Sequence, residues 1–438
     1  MKILKNITTT TMVMALLLVS SLEARETKKV SNFSGSNFVE SSGTFDGNRI
    51  YADVTNNGLF LDFHISGDSA LEWPKGTGVH SIFQSALWMG ATVNGQIRTI
   101  VGDYTQDMGP GPYGGDPLAA VHRIYKVNKS MLDDPASHDD FQNWPTDWGA
   151  PWVDADGDGV YTPLPAGPDH PEFIGDQVIW FVSNDGDIAY KLNFGTDPMG
   201  VEIQTTMFGY DRIDAIGDML FVKQLVINKG GDDLVDTYMG LWSDPDLGYA
   251  GDDFVGCNVD LGMGYVWNDG ADSQYDNLDI GTPAAGYDFF QGPKVPCDDP
   301  TDTVECPAQG AKMFGTYFPG EKNLKMSSFA FYINGDATYT DPSDETEGYY
   351  YLQGLRKDGS AYPTEIAGDL YDQKFCFYGD PEVAHSSANP VDGNYAASAD
   401  RRFLMSVGPF TMAAGDSQEV VFGIFHAAGG DALSSVAY

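Results

Sequence analysis

The chain has 438 residues, and 63 Asp and Glu against 24 Lys and Arg give it a formal net charge of −39. That balance excludes nucleic acid and anionic membranes as electrostatic partners, because both repel an acidic protein. A chain of this length can bury a large core, in two domains or in one large double-sheet unit. The acidity has two competing origins. Bound divalent ions can neutralise part of it, or it can keep the protein soluble in salty surroundings, where repulsion is screened within about 10 Å and no metal is needed.

In chain order, the N-terminus reads as an export signal over 1–24. Lys2 and Lys5 precede an apolar run at 12–19, and small residues near Ser21 and Ala24 offer a cleavage point. The run is too short to span a bilayer, and no later stretch looks transmembrane, so no membrane insertion is expected after signal cleavage. The expected location is extracellular or at the cell surface. Residues 25–45, rich in Ser, Gly and Asn, read as a flexible lead-in.

Residues 46–190 read as an N-terminal β region. Strands are expected at 49–54, 60–65, 85–93, 96–101 and 178–183, and Asn94 with Gly95 is a two-residue hairpin signal. Residues 105–175 are crowded with Pro, Gly, Asp and Trp and read as a long ordered loop region that a metal could hold fixed. Residues 191–438 read as a C-terminal β-sandwich region, with strands at 201–210, 220–228, 235–242, 402–407 and 419–425. One helix is expected over 342–354, with Asp341 as its N-cap. The end at 436–438 follows strand-like sequence and a helix start, so the chain reads as truncated. The expected fold class is all-β: a large antiparallel β-sandwich, or two packed sandwiches, with long calcium-ordered loops and at most one or two short helices.

Residues 154–161 read Asp-Ala-Asp-Gly-Asp-Gly-Val-Tyr. Asp154, Asp156 and Asp158 stand at positions one, three and five of a calcium loop, a glycine follows, and the carbonyl of Val160 falls at position seven. The bidentate glutamate of position twelve is replaced by Pro165, so a helix-loop-helix hand is not expected. A closing ligand is sought further on, with Asp169, Glu172 and Asp176 as candidates. The alternative is a polar Asp-Gly turn with no metal.

A second acidic group comprises Asp244, Asp246, Asp252 and Asp253. Three readings stay open for it: another calcium site, a catalytic acid and base as in glycoside hydrolysis, or a solvated loop whose Asp residues cap turns. Aromatic residues at Trp144, Trp148, Trp152, Tyr249, Tyr287, Phe289 and Phe290 can stack on sugars, but the composition favours core. The histidines stand apart with no zinc spacing, and no nucleophile elbow, P-loop or dinucleotide fingerprint is present. Cys297 and Cys306 flank a short acidic loop and are expected to pair; Cys257 and Cys376 are the remainder.

Several phrases together resemble a group of large secreted bacterial β-sandwich proteins that often carry a C-terminal type IX secretion sorting domain. They are 72–78 (Glu-Trp-Pro-Lys-Gly-Thr-Gly), 87–95 (Leu-Trp-Met-Gly-Ala-Thr-Val-Asn-Gly), 144–151 (Trp-Pro-Thr-Asp-Trp-Gly-Ala-Pro), 243–248, 286–292 and 400–406. The resemblance covers most of the chain after the signal. It implies an extracellular or cell-surface β-sandwich with calcium loops and brings no activity; the sorting domain itself is not in this sequence. The functional expectation is a secreted calcium-binding module with a carbohydrate or cell-surface partner. A secreted carbohydrate-active enzyme and a structural surface-layer or adhesive component are the alternatives.

Overall fold

Strict alternation along Met219–Asn228 shows how these strands are made. Leu220, Val222, Gln224, Val226 and Asn228 are buried, and the residues between them are half-buried, the period-two pattern of a strand covered more on one face. The computed structural model describes residues 41–65, 67, 69–393 and 397–438. The expected signal at 1–24 and most of the expected lead-in lie outside them. The end of that lead-in, Ser42–Phe45, is a strand paired with Tyr51–Thr55.

Two antiparallel sheets form the body. Their strands, in chain order, begin with β1 (Leu59–Leu61), β2 (Gln84–Val93), β3 (Gln96–Ile100), β4 (Gly109–Pro110) and β5 (Tyr125–Asn128). There follow β6 (Gln177–Asn184), β7 (Val201–Gly209), β8 (Met219–Asn228), β9 (Leu234–Asp244) and β10 (Phe254–Asn258). The last are β11 (Met263–Trp267), β12 (Ala284–Gln291), β13 (Ser328–Ile333), β14 (Arg401–Met412) and β15 (Ser417–Ala427). The six-stranded sheet runs β13-β14-β9-β2-β1, with β3 also on β2. The nine-stranded sheet runs β10-β11-β12-β15-β8-β7-β6-β4, with β5 also on β6. Each draws strands from either side of residue 190, so the two regions read from the sequence share their sheets. The Asn94-Gly95 turn joins β2 to β3 as expected, with both residues at positive φ.

The sheets pack face to face, as in a β-sandwich. Phe60 meets Phe422 at 5.4 Å between ring centroids, and Tyr287 of β12 meets Phe403 of β14 at 5.6 Å. The Tyr287 hydroxyl also bonds Ser85 and Ser243 on the facing sheet. The outer face of the six-stranded sheet is covered by helix α1 (Glu345–Leu352), which lies against Gly90 and Gly240. Its N-cap is Asp344, which accepts from the Glu347 N–H, not Asp341 as the sequence suggested; Pro342 and Ser343 stay outside the helix. Three other short α-helices among the described residues span Asp139–Gln142, Thr364–Ala367 and Ala432–Ala437, which with α1 makes four against the one or two expected.

β6 is buried along its whole length because it is covered twice. Ile179 and Phe181 point into the main core, while Val178, Trp180 and Val182 join a second cluster with Tyr125, Phe141, Trp144 and Phe208. Trp148, Trp152, Tyr161, Leu164 and Phe173 pack against that cluster. The Pro- and Asp-rich stretch after β5 is therefore held by its own apolar floor. Cys297 and Cys306 form a disulfide; Cys257 and Cys376 are buried and unlinked. Among the described residues no helix is long and apolar enough to cross a membrane.

Candidate metal centres

The loop at 154–169 is closed by a two-residue antiparallel pair, Trp152–Val153 with His170–Pro171. Trp152 and Tyr161 meet edge to face at 5.4 Å, and the Tyr161 hydroxyl donates to the Phe141 carbonyl at 2.7 Å, which ties the loop to the second cluster. Within it Gly157 and Gly159 adopt φ of 76° and 75°, left-handed conformations that favour glycine. Asp154 Oδ1 accepts from Gly157 N at 2.7 Å, and its Oδ2 accepts from Gly159 N at 3.0 Å. The turn thus curls around the first carboxylate.

Asp169 is the buried member. Its Oδ1 accepts from Ala155 N at 3.0 Å and its Oδ2 from Thr162 N at 2.8 Å. One oxygen from each of Asp154, Asp156 and Asp169 lies within 4.8 Å of the others. Calcium–oxygen bonds of 2.3–2.6 Å put opposed ligands about 5 Å apart, so the three can share one ion. Desolvation, with the charges of Asp158, Asp169 and Asp154, raises the Asp156 carboxyl above its usual range against the pull of the Asp158 N–H. Asp158 is not in the triplet; its Oδ1 accepts from Val160 N at 2.8 Å in a turn of its own. Val160 is exposed. Of the three closing candidates, Asp169 joins the triplet, Glu172 is exposed, and Asp176 accepts from Asp211 N instead.

The second centre lies where β9 ends. Asp244, Asp246 and Asp400 each bring one oxygen within 4.8 Å of the others. Asp244 Oδ2 accepts from the Tyr104 hydroxyl at 2.7 Å and from Arg402 Nη2 at 3.1 Å. Asp400 Oδ2 accepts from Asn334 Nδ2 at 2.9 Å, and its Oδ1 lies 2.8 Å from Arg402 Nη1 in an orientation that makes no hydrogen bond. Burial, with the charges of Asp400 and Asp246, pushes the Asp244 carboxyl well above the usual range, against the pull of Arg402. Burial, then Asp246, does the same to Asp253. Asp253 stands beside this group and is held by Leu247 N at 3.2 Å. Asp252 turns away, bonds Asn268 Nδ2 at 2.8 Å, and is pushed up to about 6 by burial and Asp272.

Both clusters can therefore hold a metal ion. Their donors are all oxygens, a set that suits a hard cation and not zinc. No histidine or cysteine joins either group among the described residues. Sequence reasoning missed Asp400, although it opens the phrase at 400–406, because nothing local links it to Asp244. A glycosidase needs two carboxyl groups facing an open cleft, whereas Asp244 and Asp246 are only 1% and 5% exposed. Of the aromatic residues singled out, Trp144 and Tyr287 are core, Trp148, Trp152 and Phe289 are half-buried, and Tyr249 and Phe290 are exposed.

No family model and no curated protein matches the chain. Among solved structures, a protein of Escherichia coli K12 named for aldose 1-epimerase activity aligns over 89% of this chain and 100% of its own, at 9% identity and a TM-score of 0.31. A likeness of that size carries no argument about fold or function.

Proposed function

We propose that this is an exported, calcium-binding β-sandwich that acts as an extracellular or cell-surface binding module, with a carbohydrate or another cell-surface component as its partner. The observation that carries the calcium assignment is the convergence of Asp154, Asp156 and Asp169 on one ion-sized point inside a loop shaped like the first half of a calcium loop. The export signal and the acidic composition support the location. In this role calcium acts on the loop at 154–169, since the surrounding stretch already has an apolar floor. An ion that binds only the folded state stabilises it by mass action.

Isothermal titration of metal-free protein with calcium tests the assignment, alongside melting in millimolar calcium and in EGTA. Saturable uptake with a higher melting temperature in calcium is expected. No uptake and superimposed melting curves would refute it. A glycan array probed in calcium and in EGTA then tests the partner: calcium-dependent binding to a sugar class is expected, and no binding to any glycan removes the carbohydrate partner.

A further inference from the structure

The outer face of the six-stranded sheet carries a buried side chain that the fold leaves unanswered. Gln84 is 0% exposed, and neither its Oε1 nor its Nε2 has a hydrogen-bond partner. A buried amide without partners lowers stability unless something else satisfies it. Gln84 stands directly opposite Asp244 in the antiparallel pairing of β2 with β9. Residues so paired project from the same face. That face is the outer one, because the next residues along, Ser85 and Ser243, reach Tyr287 on the inner side. Gln84 thus projects beside Asp244, one member of the Asp244, Asp246 and Asp400 cluster. Asp244 Oδ1 is likewise buried and without a hydrogen-bond partner, although its Oδ2 has two.

We propose that Asp244, Asp246 and Asp400, together with the side-chain carbonyl of Gln84, form a second, buried site for a divalent hard cation, which pins the ends of β2, β9 and β14 to one another. The proposal deepens the calcium reading and rests on it for the identity of the ion. Charge agrees. Asp244 and Asp400 share the guanidinium of Arg402, and Asp246 and Asp253 add their carboxyl groups beside them, a concentration of acidic oxygens that a divalent ion would relieve. The donors agree as well, since carboxylates and amide carbonyls are the oxygen ligands calcium takes. Arg402 and the Tyr104 hydroxyl hold Asp244 from one side through Oδ2, which leaves Oδ1 for the ion. The site differs from the exposed loop in burial, so its ion should exchange slowly.

The test uses the whole chain, with bound calcium counted by elemental analysis after exhaustive dialysis against trace calcium, and melting followed in calcium and in EGTA. Two ions per chain are expected. Asp156→Ala should leave one of them, and Gln84→Met should leave the other. Gln84→Met also carries a change of sign. In EGTA it should melt at or above the wild-type temperature, because an unpartnered buried amide has been replaced by an apolar chain of similar size. In calcium it should melt below wild type. A Gln84→Met protein that keeps the full ion count and melts no lower than wild type in calcium overturns the proposal. A single ion, abolished by Asp156→Ala, sinks this site and leaves the loop reading standing. A single ion that survives Asp156→Ala and is lost in Gln84→Met does the reverse, and no ion at all removes both.

Discussion

Replacing Asp169 by Asn separates what this carboxylate does for the fold from what it does for an ion. Its two oxygens accept from Ala155 N and Thr162 N, at 3.0 and 2.8 Å, inside the protein. Asparagine keeps one acceptor and turns an amide donor toward the other N–H. Without metal, the variant should therefore lose one hydrogen bond to a charged group, about 2 kcal/mol. With calcium at a hundred times its dissociation constant, wild type gains about 2.7 kcal/mol. A fold of this length unfolds with roughly 0.8 kcal/mol/K, so that gain is worth roughly 3 °C. If the lost carboxylate weakens binding about a hundredfold, the gain shrinks to about 0.4 kcal/mol, under about 1 °C. Differential scanning fluorimetry of both proteins, in EGTA and across a calcium series, reads both terms. Should Asp169→Asn start lower in EGTA yet show the full wild-type increment in calcium, Asp169 is a structural acceptor only and the argument for the loop site fails.

Other consequences concern the scaffold. Arg401 and Asp392 form a buried bidentate pair at 2.6 and 2.9 Å, so Arg401→Met strands a buried carboxylate and should cost about 3–5 kcal/mol in denaturant unfolding; a loss below about 1 kcal/mol would contradict that burial. A Cβ on Gly90 would stand 2.5 Å from Tyr349 Cδ2 and 2.9 Å from Leu352 Cδ1, so Gly90→Ala should unseat α1 and cost about 1–3 kcal/mol by the same measurement; a neutral result would mean the helix is not packed there. Burial holds His426 neutral, with its pKa pushed down to about 3 from 6.5. The depressed folded value means that the unfolded chain binds the extra proton, so this contribution is whole above pH 6.5 and is lost as pH falls toward 3. At pH 5 wild type should have lost on the order of 2 kcal/mol that His426→Gln does not lose. Parallel stability curves for the two proteins between pH 7 and 5 would show that the imidazole is not held neutral.

Much of this protein is written locally. Side chains alternate across a strand whatever the strand pairs with, so β8 can be read from a short window, and Asn94-Gly95 needs only its own backbone to turn. The 154–159 run curls through hydrogen bonds between neighbours, and Asp169 lies just across its closing pair. Burial on both faces erases alternation: β13, Ser-Phe-Ala-Phe-Tyr-Ile, is buried at every position and was not anticipated, whereas β6, buried as fully and richer in β-branched residues, was expected over 178–183. The same limit applies to the second centre. Four neighbouring aspartates were visible, but the sequence could not say that Asp252 would turn to Asn268, or that Asp400 and Gln84 would come to Asp244 from strands far along the chain. Sequence determines which short segments can be strands and turns, because those choices are settled by neighbours. Only the packed sheets decide which distant carboxylates share a point, because strand order and register set that distance and no local pattern encodes them.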